Sequence, residues 1–334
     1  GVRREHPSRE DAKDTLHGVE VDDPYRGLED GTSERVKAWM TAEDALARRV
    51  LSAYPERARL AARLAELLYV EKVGVPARFG RRYFTSKRDG KSEKAIYYVR
   101  EGRDGKDRVA LDPNAASADG SVTFRAESPS YDGSRIAYRK SLNNADDATL
   151  YVRDLATGKD STLDVIPGAK YAYAAWTPRG DGFYYVGVPV PGVVPQSELL
   201  AHAEVRFHKL GTDPKADVVV RPKGGDASRF TDARLSEDGR WLIVTLSRGW
   251  TQTDVFVQDL RKSGASAPVA GRPWVPVVEG VEAISAVDVY KDRLFIRTND
   301  GAPNYRLMTV DAAKPGRAGW RSLVDERPPA GAAR

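Results

Sequence analysis

Hydrophobic positions along this chain keep two different beats. Between Thr32-Ser33 and Pro55, residues Val36, Trp39, Met40, Leu46, Val50 and Leu51 recur at three-to-four-residue spacing. That is the period of one face of an α-helix. Thr32 or Ser33 stands where an N-cap belongs, and Pro55 stops the pattern. A second helix is expected from about Pro55 to Tyr69, with Leu60, Leu64, Leu67 and Leu68 on one face. An amphipathic pair of this kind needs something to pack against.

From about Val73 the beat changes to apolar and aromatic runs of four to seven residues broken by turn signals. Such runs read as strands. Five of them align: 95–100, 149–154, 204–209, 253–259 and 305–311, their starts 49 to 55 residues apart. Each is preceded by another strand: 82–86, 135–139, 182–186, 241–245 and 293–297. Asp132-Gly133, Asp181-Gly182, Asp238-Gly239 and Lys291-Asp292 mark turns just before four of these. An even all-β period near fifty residues predicts propeller blades of four strands, each covering its neighbour's open face. A β-sandwich of the same strands would explain the alternation but not the even spacing.

Composition narrows the classes without changing that picture. With 41% hydrophobic and 30% charged residues, the chain reads as globular. No apolar run approaches the roughly 18 residues of a spanning helix, so no membrane partner is expected. The 53 Lys and Arg exceed the 48 Asp and Glu by only five, and most basic residues have acidic neighbours, as in Arg103-Asp104-Gly105-Lys106-Asp107. No basic stripe with interleaved aromatics suggests nucleic acid. The absence of cysteine removes disulfides, thiolate metal sites and Cys nucleophiles. The first residues hold no apolar core of a secretion signal. The compartment stays open between cytoplasm and periplasm.

Asp23-Pro24-Tyr25-Arg26-Gly27-Leu28-Glu29-Asp30, followed by Val36-Lys37-Ala38-Trp39, resembles the start of the prolyl oligopeptidase family of serine peptidases. Val109 to Asn114 is similar to that family's first-blade ending, and Trp176-Thr177-Pro178 with Gly182-Phe183-Tyr184-Tyr185 to its third blade. Leu210-Gly211-Thr212 and Gly301-Ala302-Pro303-Asn304-Tyr305-Arg306 continue the resemblance in order to the fifth. Gly27 departs from the family's usual Trp and removes a large apolar anchor near the first helix.

The resemblance implies a seven-bladed propeller inserted into an α/β-hydrolase domain. Residues 1–72 would be a hydrolase-associated helical segment, 73–327 the first five blades and 328–334 a tail. Two blades and the C-terminal hydrolase half, which carries the Ser, Asp and His, would then lie outside this chain, in the same gene product or a companion chain. The family cleaves short peptides after proline, and its propeller gates access. Aligned on the blade motifs, Tyr171, Phe230 and Trp250 fall at positions lining an apolar pocket upstream of the bound proline.

The residues support no catalytic centre within the chain itself. A nucleophile elbow needs Gly-x-Ser-x-Gly. Ser33, Ser92 and Ser266 have the first Gly but carry Arg35, Lys94 and Pro268 in place of the second. Of four histidines, His6 and His17 lie in a polar arm. His202 and His208 are six apart around a strand and would share a side, too few for a zinc site. Gly90-Lys91-Ser92 imitates the end of a phosphate loop but lacks its first Gly, and reads as a hairpin turn. The pairs Asp22-Asp23 and Asp146-Asp147 fit turns and caps. No cofactor or metal is expected, and the chain alone is expected to be inactive. The alternative reading is a non-catalytic propeller that binds peptides or proteins.

Overall fold

A computed structural model describes residues 7–261 and 270–327. His6, Ser266 and the tail 328–334 lie outside the described residues. The chain divides into two compact units, 1–70 and 71–334.

The first unit opens with a hairpin, Lys13–Leu16 paired with Val19–Asp22 around a His17-Gly18 turn. The sequence pattern placed no strands here; every residue of both is exposed, and the alternation Val19-Glu20-Val21-Asp22 is only four residues long. Helix α1 then spans Glu34–Ser52 and α2 spans Arg57–Leu68. Ser33 holds the N-cap position of α1, although its hydroxyl makes no cap bond. Val36 is buried, whereas Leu60, Leu64 and Leu67 of α2 are about half exposed. At Gly27 the direction a side chain would take is filled by Glu10 and Arg35, which pair at 2.6 Å. An ion pair thus occupies the space that an aromatic anchor would need.

The second unit is five antiparallel sheets in sequence order. Blade 1 is built from Lys72–Val73, Ala77–Phe79, Arg82–Arg88, Ile96–Glu101 and Arg108–Leu111. Blade 2 comprises Thr123–Pro129, Arg135–Ser141, Thr149–Asp154 and Asp160–Ile166. Blade 3 comprises Ala175–Trp176, Gly182–Gly187, Glu204–Lys209 and Val218–Arg221. Blade 4 comprises Arg229–Leu235, Trp241–Arg248, Gln252–Asp259 and Val275–Val278, and blade 5 Ser285–Tyr290, Arg293–Thr298, Arg306–Asp311 and Arg321–Val324. Strands run 1-2-3-4 across blades 2 to 5, the connectivity of a propeller blade. The fold is mainly β, a run of propeller blades, as the spacing predicts.

Side chains along each strand point to both faces, and the facing apolar residues of consecutive blades pack together. Phe84, Val99 and Leu111 of blade 1 pack with Ile136 and Tyr138 of blade 2. Leu150, Val152 and Ile166 of blade 2 meet Trp176, Phe183 and Tyr185 of blade 3. Tyr184 and Phe207 of blade 3 meet Leu242 of blade 4, and Trp241, Ile243 and Val257 meet Leu294, Ile296 and Met308 of blade 5.

The first hairpins of blades 2 and 4 share one device. In blade 2 the Asp132 carboxylate accepts from the Ser130 hydroxyl at 2.7 Å and Gly133 N–H donates to Ser130 O at 2.8 Å. Blade 4 repeats it with Ser236, Asp238 and Gly239. Gly133 and Gly239 sit at φ +68° and +66°, a region that glycine reaches without strain. These turns meet one another: the Tyr131 hydroxyl of blade 2 donates to Ser236 O of blade 4 at 3.2 Å, and Pro178 of blade 3 lies against Gly239. Among the described residues no helix is long and apolar enough to cross a membrane.

Candidate functional site

Tyr171 stands on the link from blade 2 to blade 3. Gly168, at φ +67°, turns the chain so tightly that a Cβ would sit 2.1 Å from Val188 O. Ala169, Ala172 and Ala174 then bury themselves between the two blades, around a turn closed by Ala172 N–H donating to Ala169 O at 3.0 Å. Tyr171 is left half-buried and Tyr173 exposed. The Lys170 ammonium lies 5.8 Å from the Tyr171 ring, and the Arg139 guanidinium donates to Lys170 O.

Phe230 is the second residue of the first strand of blade 4, and it pairs with Ser247. Its ring meets Tyr171 edge to face, centroids 5.7 Å apart at 89°, a favourable aromatic geometry. Phe230 keeps 48% of its surface exposed. The pair is therefore an open apolar contact rather than a piece of core. Trp250 sits in the turn between Trp241–Arg248 and Gln252–Asp259, at the same end of blade 4, and is 95% exposed. The structure brings Tyr171 and Phe230 together; Trp250 makes no ring contact with either among the described residues.

An ionic network pins the strand that carries Phe230. Asp226 accepts from the Ser228 hydroxyl at 2.6 Å, Arg248 at 2.8 Å and Arg229 at 3.1 Å. These bonds, the Ser228 hydroxyl foremost, hold its carboxyl well below the usual carboxylate range. Arg229 also donates at 2.6 Å to the buried Asp254 carboxylate, which accepts from Gly280 N–H on its other oxygen. Sequence reasoning missed this hub. The signal available was Asp226-x-Ser228-Arg229 at the entry to a strand, an Asx turn with a charged exit.

The histidines do not behave as spacing suggested. His202 closes a 3-10 turn, Gln196–His202, and lies off the strand, so the two do not share a strand face. His208 is fully buried, with Nε2 3.0 Å from Asp164 of blade 2 and Nδ1 2.8 Å from Asp217 of its own blade. Asp217 also accepts from the Tyr185 hydroxyl at 2.7 Å. Burial opposes the imidazolium, but the bonds to Asp164 and Asp217 outweigh it and push its pKa up to about 9. With no solvent access and no serine hydroxyl bonded to it, this group is an interblade clamp and not a general base. Among the described residues no serine hydroxyl hydrogen-bonds any histidine, and no three His, Asp or Glu side chains gather as a metal site. The Asp89 carboxylate accepts from the backbone N–H groups of Lys91 and Ser92, which makes Gly90-Lys91-Ser92 a turn.

Comparison with known proteins follows the same lines. A prolyl endopeptidase of Elizabethkingia meningoseptica is 30% identical over 321 residues, covering 94% of this chain and 43% of its own length. The dual function macrocyclase-peptidase POPB of Galerina marginata is 28% identical over 318 residues, 89% of this chain and 43% of its own. A solved structure from a study of two prolyl endopeptidases and their inter-domain dynamics superposes with TM-score 0.89 at 40% identity, over 97% of this chain and 47% of that one. Prolyl oligopeptidase B of Galerina marginata, bound to a 35-residue hydrolysis and macrocyclization substrate, gives TM-score 0.79 at 25% identity, over 97% and 48%. The chain thus spans somewhat less than half the length of these relatives. The family model described as the prolyl oligopeptidase N-terminal β-propeller domain matches residues 5–330, and the chain belongs to that family.

Proposed function

We propose that this chain is the propeller part of a post-proline serine endopeptidase, and that it selects short peptides for a catalytic centre carried by an α/β-hydrolase half. The observation that carries the reading is the open Tyr171–Phe230 contact between blades 3 and 4, set in a chain whose relatives are named prolyl endopeptidases. An edge-to-face pair with exposed faces accepts a third apolar side chain at low ordering cost. Arg248, held by Asp226 beside it, offers donors for peptide carbonyls. Trp250, on the adjoining turn, extends the same apolar rim. The catalytic residues themselves come from outside these 334 residues, since no Gly-x-Ser-x-Gly occurs in them.

The test is release of p-nitroaniline from a post-proline chromogenic peptide. The chain is assayed alone, and together with the hydrolase half of a related prolyl endopeptidase, joined or mixed. Activity that requires both parts supports the proposal. Hydrolysis by the chain alone, or a hydrolase half indifferent to it in both rate and peptide-length preference, would overturn it.

A further inference from the structure

Between blades 3 and 4 lies a cavity of about 590 Å³ that the peptide rim does not use. The volume is in the range of small-molecule sites. Its apolar wall includes Leu200, Val205, Leu246, Phe256 and Trp274. Arg221, the last residue of blade 3's outer strand, projects into it with its guanidinium carbon 4.4 Å from the Phe256 ring centroid and 5.3 Å from that of Trp274. Among the described residues no carboxylate comes within ion-pair distance of Arg221. Burial lowers its pKa, and only the more distant Glu279 pulls the other way. A half-buried guanidinium laid against two aromatic rings with no carboxylate partner is open to an anion that the cavity admits.

The other charges on the wall set the valence. Arg229 and Asp226 satisfy each other and their own partners. That leaves Arg221 and the exposed Lys223 against Glu279, an excess of one positive charge. We infer that this cavity binds a monocarboxylate carried on a planar apolar body, its carboxylate on Arg221 and its ring against the Phe256 and Trp274 walls. A planar carboxylate matches the two-pronged donor geometry of Arg. Two sources present that chemistry: the C-terminal carboxylate of a peptide ending in an aromatic residue, and a free arylalkanoic acid. The site is distinct from the Tyr171–Phe230 rim and does not depend on any catalytic activity.

Titration calorimetry on the full chain tests the inference with four probes: 3-phenylpropionate, 3-phenylpropanamide, Ala-Ala-Phe as free acid, and Ala-Ala-Phe amide. At least one acid is expected to bind at least tenfold more tightly than its amide. Arg221→Gln should weaken that acid at least tenfold and leave the amides unchanged. Glu279→Gln, on an exposed side chain, should tighten it severalfold, and so reads the same field in a variant whose fold is undisturbed. The tighter acid identifies the source. Equal binding of acid and amide in the parent protein, retention of acid binding in a folded Arg221→Gln variant, or no tightening in Glu279→Gln would overturn the inference.

Discussion

Raising the pH should unlock blade 2 from blade 3 through one residue. His208 is fully buried between Asp164 and Asp217, with the Tyr185 hydroxyl, itself raised by burial and by Asp217, completing the surroundings. Gly211 N–H donates to Asp164 at 2.6 Å. The imidazolium is favoured in the folded state, its pKa moving from 6.5 to about 9. A group with a raised folded pKa contributes its full stability below the unfolded value and loses it as pH rises through the folded one. Two and a half pKa steps correspond to about 3 kcal/mol at roughly 1.4 kcal/mol each. The decline should therefore fall between about pH 6.5 and pH 10. The assay is urea unfolding followed by tryptophan fluorescence at pH 7, 8, 9 and 10, for the parent and His208→Gln. Groups common to both proteins cancel in the difference. The parent should lose about 3 kcal/mol more than the variant across that range. Equal slopes, or a His208 ring signal titrating below pH 7 by NMR, would refute the reasoning.

Gly168→Ala combines φ +67° with a Cβ placed 2.1 Å from the Val188 carbonyl oxygen. It should cost about 2 kcal/mol or more and lower the melting temperature, while Gly192→Ala, whose Cβ would meet nothing, costs only its positive φ. Leu242→Ala removes a fully buried side chain between blades 3 and 4 and should cost about 2 to 5 kcal/mol in the same denaturation assay. The exposed Leu60, Leu64 and Leu67 of α2 should make the isolated chain bind a hydrophobic dye, and Leu60→Gln with Leu64→Gln should reduce that fluorescence by about half or more; an unchanged signal would place the dye elsewhere.

The blades were legible because their strands obey a short local rule. Arg135-Ile136-Ala137-Tyr138-Arg139 and its counterparts are short apolar runs, buried on both faces, and the Ser-x-Asp-Gly turns are closed by their own side chains, as at Ser130 and Ser236. Period and punctuation both survive in one dimension. What stayed hidden depends on residues far apart. The hairpin at Lys13–Asp22 buries none of its strand residues, and its alternating stretch, Val19-Glu20-Val21-Asp22, is too short to stand out beside the blade strands. His208 draws its partners from 44 residues earlier and nine later, while spacing alone offered His202. The Tyr171–Phe230 pair joins the link from blade 2 to blade 3 with the first strand of blade 4, 59 positions apart in the numbering, and only the family resemblance pointed to those positions. Trp250 was placed by the same alignment, but its turn leaves the ring in solvent.

The central claim, that the rim between blades 3 and 4 selects peptides for a post-proline peptidase, is tested most directly by a specificity ratio. Two chromogenic peptides differ only in carrying Phe or Gly upstream of the proline, and kcat/KM is measured for this chain joined to the hydrolase half of a related prolyl endopeptidase. The account predicts a preference for the Phe peptide of about tenfold, equivalent to about 1.4 kcal/mol. It also predicts that Tyr171→Ala with Phe230→Ala erases the preference while turnover of the Gly peptide is kept. An undiminished preference in that double variant would contradict it.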